Sequence, residues 1–284
     1  ATYLMGYRIS IAVIIIGINA AKKAKVSAEA IIKKTERMFS DNDWSNYIDT
    51  KISIIGTEET YGDNARHTQP REVLLRIMAT HEQKEALILL SREIAQALTG
   101  MTPGFTNMLG GRPSVSPSIR LFSFLISKED VKATIDINGK QLLLDLPNEG
   151  GFEVDEISTE PVVFDKLEAT DAEVPLVKLA YARSGDKGDH ANIGVIARKS
   201  EFLPYIRAYL TPERVAAYFA HVVKGKVDRW DLPGIGAFNF LLRNSLGGGG
   251  MASLNVDPQG KAYAQQLLDI IIPVPRKITE EVNK

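Results

Sequence analysis

Side chains that could do acid–base, nucleophilic or anion-binding chemistry crowd into one stretch between two apolar runs, residues 176–182 and 193–197. Each run predicts a short strand, and the polar stretch between them predicts a loop. Its glycines allow positive φ angles and a close approach of the backbone to a ligand. Binding and catalytic groups often lie on such loops, although a solvated hairpin loop held by its own Asx turns would have the same composition. The candidate side chains are those of Arg183, Ser184, Asp186, Lys187, Asp189, His190 and Asn192.

Two further glycine-rich loops could bind an anion or a carbonyl oxygen. The four glycines at 247–250 offer unhindered N–H groups for an oxyanion or phosphate nest, or else form a flexible hairpin tip. In the loop 100–118, Arg112 can recognise an anion through both prongs of its guanidinium group. The predicted substrate-binding residues are Gly110, Gly111, Arg112, Arg183, His190, Asn192, Gly248 and Gly249.

Motif spacing excludes several common classes of site. The sequence has neither a Walker A motif nor G-x-G-x-x-G, so ATP and NAD are not expected and we predict no cofactor. Ser184 is a candidate nucleophile but lacks the G-x-S-x-G elbow. Asp186, Asp189 and His190 could together hold a divalent metal ion. Carboxylates at this spacing more often cap helices or pair with nearby cations, so we predict no metal site.

The composition of the chain limits the classes of partner and site that we expect. The chain has 284 residues and a net charge of -1, which gives no reason to expect nucleic acid or a membrane surface as a partner. It contains no cysteine, which excludes a disulfide framework, a thiolate metal site and a cysteine nucleophile, and fits a reducing compartment. The longest apolar run, residues 9–18, is about half the length of a membrane span and predicts a buried strand.

Hydrophobic periodicity predicts an α/β protein. Alternation predicts a strand over residues 7–15, and helical spacing predicts an amphipathic helix over 20–39. The acidic, weakly patterned stretch 147–170 predicts a linker with a domain boundary near residue 165. We therefore expect two α/β sandwich domains, residues 1–165 and 166–284, with mixed sheets and helices packed on them.

Two parts of the chain resemble a known family. Residues 182–189 (ARSGDKGD) and 191–198 (ANIGVIAR) resemble the signature of the AtuA family, the acyclic terpene utilisation proteins. Residues 71–76 (REVLLR) and 104–113 (GFTNMLGGRP) resemble the later part of that family's first domain. Family members usually carry a much larger first domain, so the resemblance implies that 1–165 is a partial one whose front half is missing.

The resemblance implies a bacterial, cytoplasmic protein that takes part in the degradation of branched acyclic terpenoids through CoA thioesters. Hydration or carbon–carbon cleavage of such a thioester would suit the loops, because both reactions place negative charge on the thioester carbonyl. In this hypothesis of an acyl-CoA hydratase or lyase, Asp186 or Asp189 moves the proton, and the other carboxylate or Lys187 sets its pKa.

A non-catalytic structural or ligand-binding subunit is the alternative. There, Arg183 and Lys187 would pair with Asp186 and Asp189 in a closed network, whereas a catalytic motif would line a cleft shared with Arg112. The expected ligand is a small molecule or a CoA thioester. We also expect a homo-oligomer, or association with the missing half of the first domain, because an incomplete sheet leaves strand edges exposed.

Overall fold

The computed structural model describes residues 1–147 and 167–282, in which each of two hydrophobic cores is built from one part of the chain. The predicted boundary near residue 165 and most of the predicted linker lie outside these residues. Contacts join the two parts: the Nε2 of His221 lies 2.8 Å from the carbonyl oxygen of Thr60, and the Asn64 side chain donates to the Tyr218 carbonyl. In the described part of the chain, no helix is long and apolar enough to cross a membrane.

The first part of the chain forms a sheet with helices on one face. Its elements are β1 (Thr2–Ile16), α1 (Ala20–Asp41), β2 (Asp49–Ile55), β3 (Glu72–His81), α2 (Lys84–Gly100), β4 (Phe105–Met108) and β5 (Val115–Leu121). The sheet order is β2-β3-β1-β4, and β5 pairs with the other end of the long β1. This β-α-β-β-α-β connectivity is that of the ferredoxin-like, split βαβ arrangement.

Alternation along β1 separates the two faces of this sheet. Ile9, Ile11, Val13 and Ile15 are fully buried beneath the helices. The residues between them, including Arg8, point to the opposite face because successive side chains of a strand alternate. The predicted strand and the helix predicted over 20–39 are both confirmed.

A separate two-stranded hairpin follows, formed by β6 (Ala133–Ile137) and β7 (Lys140–Leu144). Asn138 and Gly139 form its turn, both at positive φ, as the Asn-Gly dipeptide predicts.

The second part of the chain contains a four-stranded sheet in the order β11-β12-β10-β9, packed against short helices. Its elements are β8 (Ala172–Pro175), α3 (Leu176–Leu179), β9 (Ala180–Lys187), β10 (His190–Ala197), α4 (Leu203–Tyr209), α5 (Pro212–Tyr218), β11 (Val227–Leu232), β12 (Ala237–Leu242), α6 (Tyr263–Leu267), β13 (Ile271–Val274) and α7 (Arg276–Val282). Strand β13 pairs with β8 in a small second sheet. Ile193, Phe219, Phe240 and Leu267 are fully buried in this core.

The expected α/β class, with helices packed on sheets, is confirmed, but the expected mixed sheets are wrong. Every strand pairing among the described residues is antiparallel. The chain connections explain why the pairings are antiparallel. After β1, the chain passes through α1 to β2, which lies two positions away in the sheet, with β3 between the two strands. Strands that run parallel are thus never neighbours.

Three further sequence patterns give wrong local predictions. The apolar pattern of residues 251–256 predicts a strand, but these residues form turns and bends. The spacing of Thr80 and Gln83 predicts a capping box, but β3 continues through Thr80 to His81. The first four residues of the apolar run 176–182 form the helical turn α3, and β9 begins only at Ala180.

Candidate anion-binding cleft

The polar stretch 183–192 is a tight hairpin rather than the long loop that its composition predicts. Strands β9 and β10 stay paired up to Lys187 and His190, so only Gly188 and Asp189 form the turn. Alternation then sends neighbouring polar side chains to opposite faces of the sheet. Residues that are adjacent in the sequence are thereby separated in space.

Ser184 faces α6 and is 7% exposed. Its hydroxyl accepts a hydrogen bond from the N–H of Ala264 at 2.9 Å and donates to the carbonyl of Lys261 at 3.2 Å. Both contacts tie β9 to the start of α6. The geometry gives this hydroxyl a structural position, and among the described residues no base is hydrogen-bonded to it to activate it as a nucleophile.

Asp189 holds the glycine-rich loop against the hairpin turn. Its carboxylate accepts the N–H of Gly248 at 2.6 Å, and its carbonyl accepts the N–H groups of Ser245 and Leu246. His190 accepts the N–H of Asn244 through Nδ1 at 2.9 Å. The predicted anion-binding nest at 247–250 therefore binds a carboxylate of the protein itself, that of Asp189, at Gly248.

Gly249 allows this contact to form. Its φ is 82°, and a Cβ atom there would lie 2.8 Å from the carbonyl oxygen of Gly188. A residue with a side chain would be strained and would push the loop away from the turn.

A second hydrogen-bonded group lies on the opposite face of the hairpin. The ammonium group of Lys187 donates to the side-chain oxygen of Asn192 at 3.2 Å. The side-chain amide of Asn192 in turn donates to the side-chain oxygen of Asn239 at 3.2 Å. Lys187 also donates to the backbone carbonyl, not the carboxylate, of Asp186. Within residues 1–147 and 167–282, neither Lys187 nor the exposed Arg183 forms an ion pair with Asp186 or Asp189. The network expected for a closed structural motif is absent there.

Asp186 differs from the other carboxylate of the motif. It is half-buried, and no hydrogen bond or ion pair to its carboxylate occurs in the described part of the chain. Of the motif's candidate acid–base groups, it is the one whose side chain forms no hydrogen bond or ion pair with the described residues.

A cleft lined by arginines lies on the face of the first sheet opposite the helices. Arg8 and Ser10 of β1, and Arg76 and Met78 of β3, form its floor, where strand pairing brings them together. Its volume is about 450 Å³. The walls are formed by Leu109, Gly110, Gly111, Arg112, Pro113, Ser114 and Ser116.

Two of these guanidinium groups are held by backbone carbonyls of the second part of the chain. Arg8 donates to the carbonyl of Met251 at 2.7 Å, and Arg76 donates to that of Leu254 at 3.0 Å. Nearby, the Nε of Arg120 is buried without a hydrogen-bond partner among the described residues. In that part of the chain, none of the four arginines of this region, Arg112 included, forms an ion pair with a carboxylate.

The positive charge of Arg8 is repelled by the neighbouring charges of Arg76 and Arg120. Burial lowers the pKa of Arg8, and the charge of Arg120 lowers it further. Burial also lowers the pKa of Arg76, and Arg8 adds to the effect, while Glu59 opposes it. Because guanidinium groups stay protonated in proteins, this repulsion makes the cleft attractive to an anion.

The cleft and the motif hairpin meet at the glycine-rich loop. A Cβ atom at Gly248 would lie 2.9 Å from Nη1 of Arg120, and Arg8 contacts the same loop at Met251. Of the predicted site residues, Gly110, Gly111 and Arg112 line the cleft, and Asp189, Gly248 and Gly249 form its adjacent support. Ser184, Asp186, Lys187, Arg183, His190 and Asn192 do not line it.

Sequence reasoning missed Arg8, Arg76 and Arg120. Each lies in a strand between apolar residues, a position that favours an ordinary solvent-facing side chain. The sequence contains one signal for this cleft: two strands, β1 and β3, each carry an arginine on the same face. That these strands are neighbours follows only from the sheet order. Among the described residues, no three His, Cys, Asp or Glu side chains lie close enough together to hold a metal ion.

Comparisons with known proteins agree with these two parts of the chain. Residues 1–137 match the model of the family described as acyclic terpene utilisation family protein AtuA, and residues 174–273 match the AtuA ferredoxin-like domain. No curated protein matches the chain. Among solved structures, it is similar to a de novo designed protein with a ferredoxin fold, determined by solution NMR, with a TM-score of 0.22 and 16% identity over 45% of this chain and 100% of that one. The two family matches cover most of the sequence, and the chain belongs to the AtuA family, which is named for acyclic terpene utilisation.

Proposed function

We propose that this protein binds a branched acyl-CoA thioester during the breakdown of acyclic terpenoids, with the phosphate groups of CoA in the arginine cleft. One observation carries the proposal: Arg8, Arg76 and Arg112 line one cleft without a carboxylate of the described chain paired to them. Arginine binds phosphate through two parallel hydrogen bonds, and a bound phosphate would offset the repulsion between Arg8 and Arg76.

The other cleft residues fit the same ligand. The hydroxyl groups of Ser10, Ser114 and Ser116 can donate to phosphate oxygens, and the backbone at Gly110 and Gly111 is open to close approach. A cleft of about 450 Å³ lies within the range of small-molecule sites. It would hold the phosphate-bearing end of CoA and leave the acyl chain to extend outward.

Calorimetric titration with CoA, dephospho-CoA and pantetheine tests this proposal. We expect CoA to bind, dephospho-CoA to bind more weakly and the uncharged pantetheine not to bind. Arg112→Gln should weaken CoA binding by roughly 10- to 100-fold, since a hydrogen bond to a charged group contributes about 1.5–3 kcal/mol.

Arg198→Gln is the matched control. Arg198 lies outside the cleft, with its guanidinium 3.8 Å from the ring centre of Tyr181, so its loss should leave the affinity unchanged. Equal affinities for CoA and pantetheine, or no effect of Arg112→Gln, would reject the cleft as the binding site.

Hydration or carbon–carbon cleavage of the bound thioester is the second candidate function, favoured by the unengaged carboxylate of Asp186. In hydration, Asp186 would take a proton from the water that adds to C3 of an unsaturated acyl chain, and C2 would then be protonated. In cleavage, it would take the proton of a C3 hydroxyl group while the C2–C3 bond breaks and its electrons move into the thioester enolate. Asp189 would position the adjacent loop through Gly248.

Turnover of a β-methyl enoyl-CoA, and of its 3-hydroxy counterpart, separates the alternatives. If the carboxylates act, an Asp186→Asn, Asp189→Asn double variant loses turnover but keeps CoA affinity. Retained turnover removes them from the mechanism. Binding by the wild-type protein without turnover of either thioester would favour the non-catalytic, ligand-binding subunit. A cytoplasmic location and association with a separate front half of the first domain remain predictions.

A further inference from the structure

The four-stranded second sheet has one face in the core and one largely exposed face, which we call the open face. In β10, Ile193 and Val195 are buried in the core, so Asn192, Gly194 and Ile196 lie on the open face. Cross-strand pairing places further residues on the same face: Tyr181, Arg183, Gly185 and Lys187 of β9, Ala237, Asn239 and Leu241 of β12, and Asp228, Trp230 and Leu232 of β11. The family motif thus contributes exposed polar side chains to this face.

Gly194 leaves a depression in the middle of the open face. Its cross-strand partners are Arg183 on β9 and Asn239 on β12. Side chains of directly paired residues start only about 5 Å apart, so the guanidinium group and the amide flank a position without a side chain. The nearest atom to a Cβ at Gly194 would be the carbonyl oxygen of Arg183, at 3.9 Å. A glycine inside a strand often marks a place where a ligand approaches the backbone closely.

The groups around this depression are hydrogen-bond donors. Lys187 has no acceptor atom on its side chain, so the oxygen of the Asn192 side chain must accept its bond. The amide nitrogen of Asn192 then donates to the side-chain oxygen of Asn239. This order leaves the amide N–H groups of Asn239 to donate elsewhere. Among the described residues, neither these groups nor the guanidinium group of Arg183 has an acceptor.

The charges of the open face also favour an anion. Arg183 and Lys187 carry positive charge beside the depression, and the ammonium group of Lys261 lies 3.4 Å from the position that a Cβ at Gly185 would take. Among the described residues of the four strands, Asp228 is the acidic side chain on this face, and two neighbouring cations already pair with it. An anion at Gly194 therefore meets cations and donors that the protein itself does not neutralise.

An apolar trough continues from the depression across the sheet. Ile196 follows Gly194 by two residues, and its partner on β12 is Ala237, which in turn pairs with Leu232 on β11. Ile196 and Leu232 are exposed while the short side chain of Ala237 is buried, so the surface is low between them. Trp230, also exposed, lies beside Leu232 at the end of the trough. Two strand spacings, about 10 Å, separate β10 from β11, which an extended chain of about eight carbons spans.

We propose that the open face binds a carboxylate that bears an apolar chain, with the chemistry of a free fatty acid. The carboxylate lies over Gly194, between Arg183 and Asn239, and the chain follows the trough towards Trp230. A guanidinium group can bind a carboxylate through two parallel hydrogen bonds. A polyanion fits less well, because the half of the face that contains the trough is apolar. This site is separate from the arginine cleft and does not depend on CoA binding.

The fluorescence of Trp230 tests this proposal directly. The chain has two tryptophans, and the other, Trp44, packs against Phe39 in the first part of the chain, with ring centres 6.1 Å apart. In a Trp44→Phe background, octanoate should shift the Trp230 emission to shorter wavelength and saturate. Octanol, which lacks the charge, and acetate, which lacks the chain, should each bind at least about 10-fold more weakly, the loss expected for one charged hydrogen bond.

Two variants in the same background separate the site from non-specific uptake of octanoate. Arg183→Gln should weaken binding by roughly 10-fold or more, since it removes a hydrogen bond between charged groups. Gly194→Val fills the depression and should abolish binding. Its Tm should not fall, because its Cβ has no close neighbour and valine is favoured in strands. Arg37→Gln, an exposed arginine of α1, is the matched control and should bind octanoate unchanged.

CoA affinity should stay unchanged in Arg183→Gln and Gly194→Val, so failure of this site and failure of the arginine cleft are seen separately. Equal affinities for octanoate and octanol, or undiminished octanoate binding by Gly194→Val, would overturn the proposal. A single-stranded oligonucleotide that quenches Trp230 where octanoate has no effect would also overturn it, because the open face would then bind a polyanion.

Discussion

The motif hairpin of β9 and β10 and the arginine cleft both carry several charged groups, and they use them in opposite ways. In the hairpin, Ser184 and Asp189 are hydrogen-bonded to other parts of the protein, and Lys187 is hydrogen-bonded to Asn192 of the hairpin itself. In the cleft, Arg8 and Arg76 donate hydrogen bonds only to carbonyl groups among the described residues, and their pKa values are lowered by burial and by neighbouring cations. A dense polar motif can therefore serve mainly to hold a loop, while a less conspicuous set of residues is left to bind a ligand.

This comparison predicts that hairpin variants lower stability and that cleft variants lower ligand affinity. The largest effect on stability is expected from Gly249→Ala. The new Cβ atom would lie 2.8 Å from a backbone oxygen at a φ of 82°, which costs about 2–4 kcal/mol through strain and overpacking. Calorimetry should show a fall in Tm of several degrees.

Gly250→Ala is the control for that variant. The nearest atom to its Cβ would be in the flexible side chain of Gln259, at 3.5 Å, and its φ is not in the left-handed region. Its Tm should stay close to that of the wild-type protein. Equal losses in both variants would mean that the contact between Gly249 and Gly188 does not stabilise the hairpin.

Ser184→Ala should have the next largest effect. It removes the acceptor of the Ala264 N–H inside the core, and an unsatisfied buried donor costs about 1–3 kcal/mol. Urea denaturation should show this loss, while CoA affinity stays unchanged. The exposed Ser45 supplies the control Ser45→Ala. An unchanged free energy of unfolding with lost turnover would instead give Ser184 a chemical role.

Arg112→Gln should have the opposite effects, leaving stability unchanged and lowering CoA affinity. Arg112 is exposed, and exposed substitutions usually change stability by no more than about 0.5 kcal/mol. Its free energy of unfolding should match that of the wild-type protein although its CoA affinity falls. A loss as large as that of Ser184→Ala would show that the cleft arginines hold the fold together, and the contrast between the two regions would disappear.

Salt should produce the smallest of these effects. Raising NaCl from about 0.05 M to 0.5 M shortens the screening length to well below 10 Å and should weaken CoA binding several-fold. The stability lost by Gly249→Ala should not depend on salt, because strain and close contact are not screened. Salt-independent CoA binding would contradict an ionic contact in the cleft.

Patterns that depend on near neighbours were predicted correctly. The alternation of β1, the apolar stripe of α1 and the Asn138-Gly139 turn each follow from residues a few positions apart. The Thr211-Pro212 sequence likewise predicts a helix N-terminus, and Thr211 accepts the N–H of Arg214 as the N-cap of α5. In these elements local geometry and burial favour one structure.

Predictions failed where a polar run had more than one local solution. The stretch 183–192 has the composition of a loop, yet β10 pairs with β12 from Ala191 onward, and its pairing with β9 continues to His190 opposite Lys187. The sequence likewise does not show that Asp189 fills the nest at Gly248, because that contact crosses many intervening residues.

The sequence by itself determined the α/β class, the main strands and helices, and the presence of the family motif, since each depends on periodicity or on contiguous residues. Only the tertiary structure decided which charged groups are available to a ligand. The sheet order β2-β3-β1-β4 brings Arg8 and Arg76 to one face, the loop before β5 adds Arg112, and the second part of the chain supplies carbonyl groups rather than carboxylates. Strand pairing joins residues that are far apart in the chain, and no local pattern encodes that meeting.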